Sequence, residues 1–398
     1  MKSHTPHPVI PVNQLQAGMY VIAIISQTGG MEIAQMGLVT TRQQIDDLVR
    51  RGVLTVRVDL ARSKLAGIEQ IISPDPAALS ASSQRPAGSA NGEGRELKIR
   101  RLYQEARELQ GKFIRQLKAG EPIDITPLAA VAEEMVDTMF THGDAMLCLA
   151  RIRAKDAYLM EHSMNVAILL ANFGRYLDLD RSVLKELTLG GLLHDVGKIM
   201  TPDEVLNKPG KLTDAEFTVM RQHVVHSYDI LSHTPGITAT MLEVAANHHE
   251  RLDGTGYPRH LKGDQLSLHT RMSGIVDVYD AVTADRVYKQ GMQPTQAFRI
   301  LLKGADHHFD RGLVTKFIKC MGVYPVGTLV QLSNQRLAVV MQRNEQQPLK
   351  PVVKVIYHAT QRHYLEVQWL DLARNGGQES IESTVDPKEF GINLANFV

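Results

Sequence analysis

At 398 residues and 43% apolar composition, the chain is long enough for two or three domains and buries enough surface to fold without a disulfide or metal staple. Its 44 basic and 43 acidic residues leave a net charge of +1, which excludes the strong field that draws proteins to DNA, RNA or anionic membranes. Cys148 and Cys320 have no CxxC spacing and read as small apolar residues in a reducing compartment. The N-terminal stretch lacks an apolar signal region, and no segment reaches the roughly 18 apolar residues of a membrane span. A cytoplasmic protein without a membrane span is expected.

Residues 1–72 read as a small α+β domain, a candidate regulator of the rest of the chain. Short β-like runs at Met19 to Ile25 and Val53 to Val58 flank an amphipathic run, Thr41 to Arg51, with Ile45, Leu48 and Val49 on one face. The next segment, 73–97, opens with SPDPAALSASSQRPAGSANGEGR; poor in large apolar residues and rich in Ser, Ala, Pro and Gly, it reads as a flexible linker. Helical periodicity begins after it: Ile99, Leu102, Ala106, Leu109, Phe113 and Leu117 recur every three or four positions. Thr126-Pro127 reads as an N-cap followed by the first helical residue, with Leu128, Val131, Met135 and Met139 on the buried side. Helical patterns continue to Phe317, so 98–325 forms a helical domain. Residues 326–398 change to β-type runs at Thr328 to Leu332, Leu337 to Gln342, Val352 to Tyr357 and Tyr364 to Trp369. The expected architecture is multidomain: an all-α core, a small α+β domain before it and a β-rich C-terminal tail after it.

The chemistry gathers in the helical part. His194-Asp195 and His248-His249 are two adjacent pairs of metal-ligating residues, and His162, His223 and Asp277 join them at intervals of mostly roughly 25 to 35 residues, about a helix and its loop. Five imidazoles and two carboxylates suit iron, manganese, zinc or nickel rather than calcium or magnesium. His194 and Asp195 cannot both point inward from a regular helix, so the helix must end there, with Gly197 as the break. An aspartate at that corner could bridge two cations. His226, three residues from His223, is the histidine most easily mistaken for a ligand.

The segments HDVGK, HHERLDGTGYP and DVYDAVTADRVYK together make residues 150–325 resemble the HD-GYP phosphodiesterases, a branch of the HD metal-dependent hydrolases. The opening VNQLQAGMYV, with GLVTTRQQIDDLVRRGVLTVRVDL after it, resembles a domain often found ahead of them. That resemblance implies hydrolysis of cyclic di-GMP, or of a related cyclic dinucleotide such as cyclic GMP-AMP, to the linear dinucleotide and on to GMP. It implies two divalent ions, iron or manganese first: His162, His194, Asp195 and Asp277 on one, and His223, His248 and His249 with bridging Asp195 on the other. A third ion is not expected, because Tyr158 stands where three-metal relatives carry glutamate. Val224 and Ser227 replace the proline and glycine that commonly follow the third histidine.

Asp195 and Lys198 are the expected catalytic residues, Lys198 as the cation beside the transition-state charge. Arg286 and Lys289, at helical i, i+3 spacing, match positions that hold the other phosphate of the substrate, and Tyr257 in the glycine-rich GYP loop is the fourth substrate contact with Lys198. Glu250 and Asp253 read as orienting residues. Two other readings compete: a slow or inactive scaffold that binds a GGDEF-type cyclase through the GYP loop, and a hydrolase of mononucleotides.

Overall fold

In the N-terminal part, β-branched and apolar runs form a small antiparallel sheet. Val9–Pro11 (β1), Tyr20–Gln27 (β2) and Val53–Asp59 (β3) are ordered β1-β3-β2, with Val9 opposite Arg57 and Val21 opposite Val58. Helix α1, Arg42–Arg50, starts behind Thr41, whose side chain accepts the Gln44 N–H while the Gln44 side chain accepts the Thr41 N–H, a reciprocal cap. Ile45 is buried in a cluster with Val12, Leu15, Met19, Val21, Val39, Val53, Val56 and Val58. Leu48 packs at its margin, whereas Val49, expected on the same face, is 50% exposed. The apolar stripe of this short helix is therefore narrower than its spacing suggested.

The computed structural model describes residues 9–12, 15, 19–27, 39, 41–50, 53–59, 92–151, 158–285 and 291–397. Arg286, Lys289 and residues 73–91 of the expected linker lie outside them. The chain forms two compact units: Met1–Ser89 with Gln335–Leu337 and Val355–Val367, and Ala90–Asn334 with Ala338–Lys354 and Gln368–Val398.

The second unit carries the other α-helices among the described residues. They are Gly92–Ala119 (α2), Thr126–Arg151 (α3), Tyr158–Tyr176 (α4), Arg181–Leu193 (α5), Asp203–Leu206 (α6), Asp214–Arg221 (α7), His223–Ser232 (α8), Ala239–Asn247 (α9), Leu268–Thr283 (α10), Pro294–Lys303 (α11) and Arg311–Met321 (α12). Helix α2 opens at Gly92, inside the segment read as linker, and buries Ile99, Leu102, Ala106 and Phe113 as its periodicity requires. Helix α3 begins at Thr126 itself rather than after it. The Asp124 carboxylate accepts the Thr126 N–H at 2.9 Å, and a charged oxygen is the stronger acceptor for that end.

Helix α4 is the axis of the core, since every residue from Glu161 to Gly174 is buried. Around it Phe173, Phe317, Tyr279 and Phe298 form a chain of rings with centroids 5.2 to 5.5 Å apart. A helix buried on all sides cannot hold polar groups cheaply, yet α4 carries His162, Asn165 and Asn172 inside. Cys148 and Cys320 are both buried thiols, and Cys320 accepts a hydrogen bond from Asn172. Among the described residues no helix is long and apolar enough to cross a membrane.

The C-terminal strands are Leu329–Leu332 (β4), Arg336–Gln342 (β5), Val352–His358 (β6), His363–Asp371 (β7) and Ile381–Thr384 (β8), ordered β7-β6-β5-β4-β8. The short strand β8, IEST, was not apparent in the sequence; it pairs Val330 with Thr384. Arg343, just past β5, holds this segment to the helices. Its main-chain N–H and Nε donate to the Asp144 carboxylate of α3 at 2.9 and 2.7 Å, and its Nη1 donates to the Cys320 carbonyl of α12. The Arg343 and Asp144 side chains are only 16% and 24% exposed, so water does little to screen them. Replacing Arg343 with Met should therefore cost about 1.5–3 kcal/mol, the usual range for hydrogen bonds to a charged partner. Urea unfolding would register this as a lower midpoint; an unchanged midpoint would deny the staple any share in stability.

Candidate metal centre

Each candidate ligand stands where a helix begins, ends or crosses the core. His162 lies in the first turns of α4, His223 is the first residue of α8, and Asp277 sits in mid α10. Helix α5 ends at Leu193, leaving His194 as its last helical conformer; Asp195 then turns to φ −98°, ψ 11° into the 3-10 segment Val196–Met200. His248 closes α9 in the same way and His249 comes directly after it. The helix end required to turn His194 and Asp195 inward together is thus present.

The hydrogen bonds of the imidazoles settle which nitrogen faces inward. Nδ1 of His194 lies 2.8 Å from the Gly191 carbonyl, Nδ1 of His223 is 2.7 Å from the Met220 carbonyl, and Nδ1 of His248 is 3.1 Å from both Val244 and Ala245 carbonyls. A carbonyl only accepts, so each Nδ1 carries the proton and, in the neutral ring, each Nε2 presents a lone pair. Those Nε2 atoms, with Oδ1 of Asp195, are buried and have no hydrogen-bond partner. Several kcal/mol of desolvation penalty would go unanswered at such a cluster without a cation.

The donor atoms fall into three overlapping groups, within each of which they lie no more than 4.8 Å apart: His162 with His194 and Asp277, His223 with His248 and His249, and His194 with Asp195 and His248. Asp195 stands between the first two. Its Oδ2 is 3.7 Å from His162 Nε2 and 3.3 Å from His194 Nε2; its Oδ1 is 3.4 Å from His223 Nε2 and 3.9 Å from His248 Nε2. One carboxylate oxygen thus faces each ligand set. Nitrogen and carboxylate donors at these spacings fit two divalent transition ions. His226 belongs to none of these groups among the described residues.

The protonation pattern suits ligation. Burial depresses His223 to about 4 and His249 to about 3, and pushes His248 well below its ordinary value, so the three are neutral at pH 7. Burial acts against the Asp195 carboxylate, but His194 and the Lys198 ammonium outweigh it and hold the carboxyl well below the usual range. Burial also lowers His162, but its bonds to Asp277, at 3.0 Å, and Asp280 prevail and raise it to about 9. A proton there holds the place between His162 and Asp277 that a cation would take. Lys198 bonds directly to Asp195 Oδ2.

Gly197 is required by close approach and not by a special backbone angle. A Cβ there would lie 2.0 Å from the His223 carbonyl oxygen and 2.4 Å from the Ser227 nitrogen. Ser227 ties this contact together: its Oγ accepts the Gly197 N–H and donates to the His194 carbonyl, both at 2.9 Å. In the GYP loop, Gly254 has φ +78°, whereas a Cβ on Gly256 would lie 2.4 Å from the Glu250 Cα. Glu250 accepts the N–H groups of Arg259 and Leu261, and Asp253 accepts that of Thr255, so both carboxylates shape the loop. The Tyr257 ring, read as a substrate contact, is half-buried and packs 4.8 Å from the His249 ring.

Asp280 is the functional residue that sequence reasoning missed. Its Oδ2 lies 2.7 Å from His162 Nδ1, which orients the imidazole of the first ligand set. The signal was present in the spacing, because Asp280 comes three residues after Asp277 on one helix and shares its face. Asp280→Ala should weaken metal binding about 10- to 100-fold, the usual effect of losing such a partner. Titration against a metal-chelating dye measures this, and unchanged affinity would leave Asp280 with a packing role alone.

Three family models match: an HD domain over residues 147–313, a domain of unknown function, DUF3391, over 9–128, and a KOW domain associated with the HD domain over 329–391. The chain is 34% identical over 382 residues to a cyclic di-GMP phosphodiesterase of Pseudomonas aeruginosa, covering 94% of this chain and 90% of that protein. It is 41% identical over 165 residues to a cyclic di-GMP phosphodiesterase of Vibrio cholerae, covering 40% of this chain and 34% of the relative. Similarity to 3'3'-cGAMP-specific phosphodiesterase 1 of Vibrio cholerae is 40% over 157 residues, 39% of this chain and 36% of that one. With its DUF3391, HD and KOW domains in that order and a two-metal cluster in the HD part, the chain belongs to the HD-GYP family of HD-domain phosphodiesterases.

Proposed function

We propose that the protein hydrolyses cyclic di-GMP to the linear dinucleotide and then to GMP in second-messenger signalling. The observation that carries the reading is the pair of histidine-rich ligand groups on either side of Asp195. Similarity over nearly the whole length of a cyclic di-GMP phosphodiesterase supports this substrate.

His162, His194 and Asp277 would hold one cation and His223, His248 and His249 the other, with Asp195 shared; iron or manganese suits this donor set. Such ions supply Lewis acidity, which makes water nucleophilic near neutral pH and offsets phosphoryl charge. Lys198, 18% exposed and paired with Asp195, holds its ammonium where it can meet the charge gathering on phosphate oxygens in the transition state. Tyr257 packs against His249, beside the second ligand group. Its phenol is pushed up by burial and by Asp277 and Asp195, so it remains a neutral hydrogen-bond donor. We assign Arg286 and Lys289 to the second phosphate from their place in the DRVYK motif.

Chromatographic analysis of products from cyclic di-GMP and cyclic GMP-AMP, with iron-, manganese- and zinc-loaded protein, tests the reading. GMP formed faster from cyclic di-GMP supports it, and two intact substrates under every metal would refute it. Asp195→Ala should lose both metals and all turnover, because two close cations would lack the charge between them. A variant that keeps two metals per chain would contradict the bridge. In Arg286→Ala, KM should rise more than kcat falls, as for a contact equally strong in ground and transition states. An unchanged KM would deny Arg286 any hold on the substrate.

A further inference from the structure

Helix α7 buries none of its residues, yet it is held firmly at its start. Thr213 and Glu216 form a reciprocal cap, and Lys208 bonds both Glu216 oxygens at 2.7 Å. On this helix Phe217 stands 44% exposed. Its ring meets Tyr257 edge to face, with centroids 6.2 Å apart, and Tyr257 in turn packs on the ligand His249. Arg221, one turn further on, lays its guanidinium 5.1 Å over the Phe217 ring and 5.8 Å from the Tyr257 ring. Among the described residues no carboxylate pairs with Arg221, and its guanidinium reaches only Thr218 Oγ1, at a long 3.4 Å. An exposed aromatic ring and a cation with most of its donors unspent therefore sit together at the rim of the metal centre, outside the hydrophobic core.

We infer that Phe217 and Arg221 form, with Tyr257, a ledge that stacks one purine of the substrate and selects guanine over adenine. The inference rests on the hydrolase reading above for its substrate class. Stacking on an aromatic side chain contributes about 1–3 kcal/mol per base and does not discriminate between purines. The guanidinium does discriminate: its paired N–H groups match the O6 and N7 acceptors of guanine, whereas adenine puts an amino donor in the place of O6. A lysine would keep the charge and lose this fork.

The test is equilibrium binding of GMP and AMP to the manganese-loaded full chain by titration calorimetry. Wild type should bind GMP more tightly than AMP. Arg221→Met and Arg221→Lys should both lose about tenfold in GMP affinity with little change for AMP. Phe217→Ala should weaken both nucleotides by about tenfold, with metal content unchanged. Equal losses for GMP and AMP in Arg221→Met, or retained GMP preference in Arg221→Lys, would make Arg221 a phosphate contact or a prop and overturn the inference. Full nucleotide affinity in Phe217→Ala would overturn the stacking. Because binding is read without turnover, the two readings fail separately. Guanine selectivity that depends on Arg221, in a chain that opens no cyclic dinucleotide, refutes the hydrolase and keeps the ledge. The reverse result refutes the ledge alone.

Discussion

Everything in the helical part is arranged around buried lone pairs that no hydrogen bond satisfies. Nε2 of His194, His223 and His248 and Oδ1 of Asp195 converge in a region walled by apolar helices. Left alone, such atoms would cost several kcal/mol, a sum comparable with the whole stability of many domains. Divalent cations turn that penalty into binding energy. The fold therefore makes sense as a device for presenting these atoms, and stability and activity are tied to the same ions.

Backbone geometry does the presenting. A helix end at His194 and another at His248 each direct two consecutive side chains into the cluster, which an uninterrupted helix could not do. Carbonyls left without partners in those last turns accept from the imidazole Nδ1 atoms, so helix termination also selects the tautomer. Gly197 and Ser227 then lock the two segments of this corner together at distances that no larger residue at 197 could enter. Outside the cluster, the GYP loop covers the His249 side through Tyr257 and is itself shaped by Glu250.

Much of this was legible in the sequence. Paired ligands at His194-Asp195 and His248-His249, set at helix-length intervals from His162, His223 and Asp277, announced a two-ion site because few other roles require those residues together. The helical stripe from Ile99 to Phe113 and the four main C-terminal strands were equally plain in their periodicity. The features that escaped did so for physical reasons. Asp280 looked like one more charge on a helix, since a second carboxylate three residues on is common on solvated faces and only the crossing of α4 and α10 brings it to His162. Gly197 was assigned to backbone freedom, whereas the approach of α8 sets its need for a missing Cβ. Phe217 and Arg221 belong to a short helix without buried residues, so periodicity gave no hint that they meet Tyr257. Strand β8 was too short and too polar to read as a strand.

On this reading two ions share Asp195 within the cluster. Anomalous diffraction from crystals of the manganese-loaded protein tests it most directly. The account predicts two peaks, one beside His162, His194 and Asp277 and the other beside His223, His248 and His249, each touched by a different oxygen of Asp195. A single peak, two peaks with Asp195 on only one, or a peak held by His226 would contradict it.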